Sequence, residues 1–266
     1  MHTALITGAS AGLGTEFARQ LAEQGLNLVL VARRLERLDQ LAGVLRDDYG
    51  VQVEVIAADL SLPEAPGRLF SECERRNLQI DYLVNNAGAA GPDLLTNPDW
   101  QSQREYMELM MTSVAAMCHY FIPPMRQRGF GRVLNVASVA GRIQLAGDAT
   151  YGPAKAYLIA LSEALNATLR GEGIYVLALC PGFTHTEFHR SKKLSKMKQA
   201  SPDFIWYDAE VVIREGLRAL EKGKPVYVSG RLYRWLDPLL QFRLTRRLIG
   251  RLSLIHISEP TRLDLA

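Results

Sequence analysis

Seven short apolar runs recur along the chain, each followed by a longer stretch in which apolar residues return every three or four positions. The runs at 4–7, 28–32, 52–57, 82–85, 132–137, 175–179 and 225–228 predict β-strands. The stretches at 12–24, 35–47, 65–76, 100–128, 151–171 and 209–222 predict amphipathic helices. Most of the runs are apolar almost throughout instead of alternating with polar residues, the pattern of strands covered on both faces. Regular strand–helix alternation, with no Pro/Gly/Ser-rich linker and no internal repeat, predicts an α/β fold. Its form is a single doubly wound parallel sheet over residues 1–230, with helices on both faces. The seventh run is followed by 231–251, where Leu232, Trp235, Leu236, Leu239, Leu240, Leu244 and Leu248 recur at helical spacing between arginines.

Composition narrows the setting. With 48% apolar and 22% charged residues among 266, the chain has ordinary globular composition, which argues against disorder. No apolar run approaches the roughly 18 residues of a membrane span, and the start of the chain is already strand-like, without a secretory leader. Cys73, Cys118 and Cys180 are an odd number with no CxxC pair, which predicts a reducing, cytoplasmic setting without disulfides or a zinc site. The net charge of +3 hides an asymmetry. Lys222, Lys224, Arg231, Arg234, Arg243, Arg246, Arg247 and Arg251 face one acid, Asp237, within 222–251, whereas residues 1–221 are slightly acidic. A basic amphipathic helix with a Trp fits peripheral contact with an anionic membrane or burial at a subunit interface, and both stay open. Nucleic acid is not expected, because the basic patch sits at one end and no binding motif accompanies it. The string Leu252-Ser253-Leu254-Ile255-His256-Ile257-Ser258-Glu259-Pro260-Thr261-Arg262 resembles a translated sequencing-library adapter, so 252–266 is read as a non-native tail.

Chemistry enters at the first turn. Thr7-Gly8-Ala9-Ser10-Ala11-Gly12-Leu13-Gly14 joins a strand to a helix, which sets backbone N–H groups at a helix N-terminus where a pyrophosphate can sit. Tight strand–helix turns also use glycine for packing alone; the strand–turn–helix order favours a dinucleotide. Where an NAD-preferring Rossmann fold usually carries Asp or Glu after its second strand, this chain has Arg33 and Arg34. Arginines cannot accept from a ribose 2′-hydroxyl but hold a 2′-phosphate well, which favours NADP(H) over NAD(H).

Tyr151 and Lys155 stand four apart at the start of a helix, with Thr150 the expected N-cap, and so share one face. A cation beside a phenol lowers its pKa and suits it to proton exchange with a carbonyl oxygen. Ser138 ends a strand thirteen positions upstream, at the edge where open α/β sheets bind ligands.

Together these residues resemble the short-chain dehydrogenase/reductase family, over residues 3 to about 230. The resemblance rests on the turn at 7–14, Asp59-Leu60, Asn85-Asn86-Ala87-Gly88, the Ser138/Tyr151/Lys155 set, and Pro181-Gly182-Phe183-Thr184-His185-Thr186. It implies hydride transfer between NADP(H) and a small-molecule carbonyl or secondary alcohol, by a homodimer or homotetramer. Ser138 would hold the substrate carbonyl, Tyr151 would act as general acid/base, and Lys155 would bind ribose and depress the Tyr151 pKa. The turn residues Gly8, Ser10, Ala11, Gly12, Leu13 and Gly14, with Arg33 and Arg34, would hold the phosphates. Asp59 and Leu60 would flank adenine, Asn86, Ala87 and Gly88 would line the cofactor, and Pro181, Gly182, Thr184 and Thr186 would meet the carboxamide. Met110 falls where the family often has an Asn that helps hold a relay water, and a thioether accepts only weakly. That departure motivates a rival reading, a cofactor-binding sensor or scaffold with little turnover. The segment 183–207 would cover the substrate. Its Arg190, Lys192, Lys193, Lys196 and Lys198 suit either a solvated lid or the steering of an acyl thioester, the latter allied to a peripheral membrane reductase of lipidic ketones. His185 and His189 lie on it without further ligands, so no metal is expected.

Arg33→Asp is expected to shift cofactor preference from NADP toward NAD by roughly ten- to a hundredfold, the worth of charge-assisted phosphate bonds; kcat/KM ratios for the two cofactors measure it.

Overall fold

The computed structural model describes residues 1–143, 146–185 and 205–241. Seven parallel strands, β1 (Thr3–Thr7), β2 (Asn27–Ala32), β3 (Val53–Ala57), β4 (Tyr82–Asn85), β5 (Gly131–Val136), β6 (Ile174–Cys180) and β7 (Val226–Val228), form one sheet in the order β3-β2-β1-β4-β5-β6-β7. The strand order reverses between β1 and β4, which opens a crevice at their carboxyl ends. The helices are α1 (Leu13–Glu23), α2 (Leu35–Tyr49), α3 (Ala65–Arg75), α4 (Trp100–Met107), α5 (Ser113–Arg128), α6 (Tyr151–Leu169), α7 (Ala209–Glu221) and α8 (Arg231–Gln241). Among the described residues, no helix is long and apolar enough to cross a membrane.

The continuous apolar runs have a direct explanation. Alternate residues of each strand enter opposite cores: Ala4, Ile6, Leu28 and Leu30 pack with Phe17, Leu21, Ile213 and Leu217 of α1 and α7. Leu5, Val29 and Val31 pack on the other face with Leu69, Met117 and Phe121 of α3 and α5. Each such side chain, when fully buried, contributes roughly 1.5–3 kcal/mol. Cys73, Cys118 and Cys180 are all free and buried.

Strand limits differ from the sequence expectation by about one residue, but two helical features differ in kind. The expected helix at 100–128 is divided by a π-helical turn, Glu108–Thr112, while Pro123 and Pro124 are carried inside α5 without ending it. A single wide turn leaves the apolar periodicity nearly intact, so it does not show in the pattern. Thr150 does not cap α6; its hydroxyl donates to the Pro92 carbonyl (3.0 Å). Asp148 supplies the acceptors instead, taking the N–H groups of Tyr151 (3.0 Å) and Gly152 (2.9 Å), a contribution of about 1 kcal/mol. Of the expected C-terminal helix, Arg231–Gln241 is observed, and 242–251 and the tail lie outside the described residues.

A β-carbon on Gly14 would lie 2.2 Å from the Gly8 carbonyl oxygen, whereas one on Gly43 of α2 meets nothing within 4 Å. Gly14→Ala is therefore expected to lower the Tm by roughly 5–10 °C, from about 1–3 kcal/mol of overpacking, and Gly43→Ala to raise it slightly. Thermal unfolding of the two variants tests the assignment.

Candidate active site

All the loops that leave the carboxyl ends of the strands lie at one edge of a parallel sheet, and the residues singled out from the sequence gather there. The Gly8–Gly14 turn follows β1, Arg33 and Arg34 follow β2, and Asp59 and Leu60 follow β3. Asn86 to Gly88 follow β4, Ser138 follows β5, and Pro181, Gly182 and Thr184 follow β6. Thr186 and the five lid cations fall outside the described residues.

The glycine-rich turn is shaped from beneath. Thr7 Oγ1 accepts the N–H groups of Asn86 and Ala87, both at 3.0 Å, and donates to the Val84 carbonyl. The Asn86 amide donates back to the carbonyls of Thr7 (2.9 Å) and Gly8 (3.3 Å). Asn86 was expected to line a cofactor; its amide is committed to bracing the turn. Gly8, at φ 65°, has no room for a β-carbon, which would sit 2.9 Å from Ala87 Cα. Gly12 precedes α1 without a side-chain cap, and with the Gly14 N–H taken by the Ala11 carbonyl (3.2 Å) the other first-turn N–H groups are the ones that would meet an anion. That closely braced turn, with glycine at 8, 12 and 14, fits a dinucleotide pyrophosphate.

The basic side of the cradle is exposed. Arg34 donates to Ser10 Oγ at 2.9 Å, bridging the end of β2 to the turn. Arg33 lies 3.7 Å from Asp59, whose carboxylate accepts the N–H and hydroxyl of Ser61 (3.0 and 2.7 Å). Burial pushes the Asp59 pKa up, but the hydrogen bonds from Ser61 and the Arg33 charge outweigh it and hold the carboxyl below its ordinary value. Leu60 is buried, and Thr184 turns its hydroxyl onto the Gly182 carbonyl (3.1 Å), so its side chain serves its own loop.

At the other end of the crevice, Ser138 Oγ accepts the Ala140 N–H at 3.1 Å. Lys155 is 5% exposed; its Nζ donates to the Val136 carbonyl at 2.7 Å and stands 5.7 Å from the Tyr151 ring centroid. Burial pulls Lys155 down to about 8. The expected depression of Tyr151 by this ammonium is not found in the chain alone. Burial raises the phenol above its ordinary value, opposed by the Ser138 hydrogen bond. Both groups are pushed toward neutrality because their shared surroundings are dry.

Met110, on the π-helical turn, is part of that dryness. It packs with Tyr106, Ala154 and Tyr151, and its sulfur accepts the Ala89 N–H at 3.4 Å. The side chain holds the loop after β4 in place and presents an apolar wall beside the phenol.

Sequence reasoning missed Asp148, although an acid three residues before Tyr151 is itself a capping signal. It also missed the buried chain behind the site, in which Asn85 donates to Asn135, Asn135 to Ser162 (both 2.9 Å) and Ser162 to the Leu158 carbonyl. These links tie β4 and β5 to α6, and nothing in local spacing announces them. No cluster of three or more metal-ligating side chains occurs among the described residues.

Between about pH 8 and 10.5 folded Lys155 is neutral while unfolded Lys155 still binds its proton, so the unfolded chain binds more protons and stability rises with pH there. The cofactor-free protein should gain stability over Lys155→Met through that window, with a slope no steeper than about 1.4 kcal/mol per pH unit. Paired denaturant titrations measure the difference.

The short chain dehydrogenase model matches residues 2–197. An uncharacterized oxidoreductase of Myxococcus xanthus is 35% identical over 189 residues, 70% of this chain and 73% of that protein. A short-chain dehydrogenase from Sphingobium yanoikuyae, solved in complex with NADPH, is 29% identical with a TM-score of 0.78, covering 100% of this chain and 99% of that one. The bulky-bulky ketone specific alcohol dehydrogenase from Comamonas testosteroni is 28% identical with a TM-score of 0.75, covering 100% and 97%. The chain therefore belongs to the short-chain dehydrogenase family of oxidoreductases.

Proposed function

We propose that this protein is an NADP(H)-dependent carbonyl reductase, working on an apolar ketone or, in reverse, a secondary alcohol. The observation that carries the reading is buried Lys155, its Nζ fixed on the Val136 carbonyl at 2.7 Å and 5.7 Å from the Tyr151 ring, with the turn that follows Ser138 packed against the same stretch of α6. Bound NADPH would supply the hydride. Ser138 and Tyr151 hold the substrate oxygen by hydrogen bonds, and Tyr151 gives its proton to that oxygen as negative charge develops there. A phenol raised above its ordinary pKa is protonated at neutral pH, the form that reduction consumes. Lys155, anchored on Val136, would meet the nicotinamide ribose and share its proton with the phenol.

Arg33 and Arg34, with Ser10, would hold the 2′-phosphate; the Arg34–Ser10 bridge and the NADPH complex of the Sphingobium relative support this preference. Phe183 stacked on Trp206 (5.0 Å between centroids) and His185 on the same indole (5.4 Å) make the ground beside Pro181–Gly182 aromatic. That surface, and the bulky ketones of the Comamonas relative, support a bulky apolar substrate. The scaffold alternative would leave the placement of buried Lys155 beside the Tyr151 ring without use.

Tyr151→Phe is expected to lower carbonyl-dependent NADPH oxidation by about a hundredfold or more, the usual share of a general acid, while NADPH binding persists. A panel of ketones followed by NADPH absorbance, with fluorescence titration of the cofactor, tests both halves; unchanged turnover overturns the reading.

A further inference from the structure

The helix α8 looks like an appendage in the sequence, yet its inward face is committed to the loops that form the site. Arg142 Nε and Nη2 meet the two carboxylate oxygens of Asp237 at 2.5 and 2.7 Å, joining positions 95 apart, and the side chains are only 19% and 18% exposed. Four residues before Asp237, Tyr233 lies on the same helical face. Its ring covers Gly182, where a β-carbon would fall 2.0 Å from Tyr233 Cε2. Its hydroxyl accepts the Phe183 N–H (3.4 Å) and donates to the Ile205 carbonyl (3.1 Å). The opposite face leaves Trp235 83% exposed.

Arg142 matters because of what precedes it. The turn Val139–Gly141 begins at Ser138, whose carbonyl accepts the Gly141 N–H, and Arg142 N–H closes it on Val139. The same turn is wedged against α6 at the lysine, since a β-carbon on Gly141 would sit 2.6 Å from the Lys155 carbonyl carbon. It is also tied to the loop after β6 by the Val139 N–H on the Pro181 carbonyl (3.0 Å). A backbone so confined moves as one piece, and the guanidinium at its end is the handle that α8 grips.

We infer that Arg142 and Asp237 are positioning residues for the reaction: their ion pair uses α8 to set the Ser138 hydroxyl against Tyr151. This rests on the reading of Ser138 as the residue that holds the substrate carbonyl. Displacing a positioned group by about an ångström lowers turnover as much as a hundredfold without touching cofactor binding.

The test compares Asp237→Asn and Asp237→Glu in the full chain, with NADPH and a ketone turned over by the wild type. Asp237→Asn is expected to lower kcat about ten- to a hundredfold and leave the NADPH Kd within about twofold, while Asp237→Glu stays within about threefold of wild type in kcat. Amide hydrogen exchange at 138–142 should quicken in Asp237→Asn and remain unchanged in β1. Unchanged kcat in Asp237→Asn, unchanged exchange at 138–142, or a parallel loss of NADPH binding would each overturn the inference. A wild type without ketone turnover defeats the functional reading instead, and exchange alone then decides whether Asp237 holds the turn.

Discussion

One clasp at the reversal of strand order underlies the site: a threonine hydroxyl and an asparagine amide joining the ends of β1 and β4. Four part-buried hydrogen bonds cross between adjacent strands here: the Asn86 and Ala87 N–H groups on the Thr7 hydroxyl, and the Asn86 amide on the carbonyls of Thr7 and Gly8. Leaving one of these groups unpaired would cost about 1–3 kcal/mol, so the two loops are held to a single relative arrangement. The glycine turn then has no freedom to drift from the loop that carries Gly88, and its distance from α6 follows from the sheet itself.

The second half of the site is governed by exclusion of water. Lys155 and Tyr151 are both driven toward their uncharged forms by burial, and Met110 extends the apolar surroundings on the side of the phenol. In such surroundings each remaining hydrogen bond counts for more than it would in water. The Val136 carbonyl is therefore a strong determinant of where the Lys155 amine sits.

The parts legible in the sequence were local or periodic. Apolar runs marked the strands, because burial on both faces leaves little room for polar residues. The glycine turn, the tyrosine–lysine spacing and the arginine pair could be noticed because each is a pattern of near neighbours in the chain, placed directly after a strand or at the start of a helix. What escaped depends on three-dimensional closure. The choice of Asp148 over Thr150 as cap turned on Pro92, a residue of another loop that claims the threonine hydroxyl. The role of Asn86 is visible only once β1 lies beside β4. The π-helical turn shifts Met110 with little change in the pattern around it. Asp237 looked like a stray acid in a basic stretch, and its partner lies 95 positions earlier.

The three thiols carry a consequence of their own. Cys73 sits on α3, Cys118 on α5 and Cys180 at the end of β6, each buried and each pushed up to about 12 by that burial. Thiolate, the reactive form, is almost absent while the chain is folded. A thiol-specific reagent would thus act as a clock of opening, silent on the native molecule and started separately at two helices and at the floor of the site. The protein carries, without any engineered label, three reporters of where its structure first gives way.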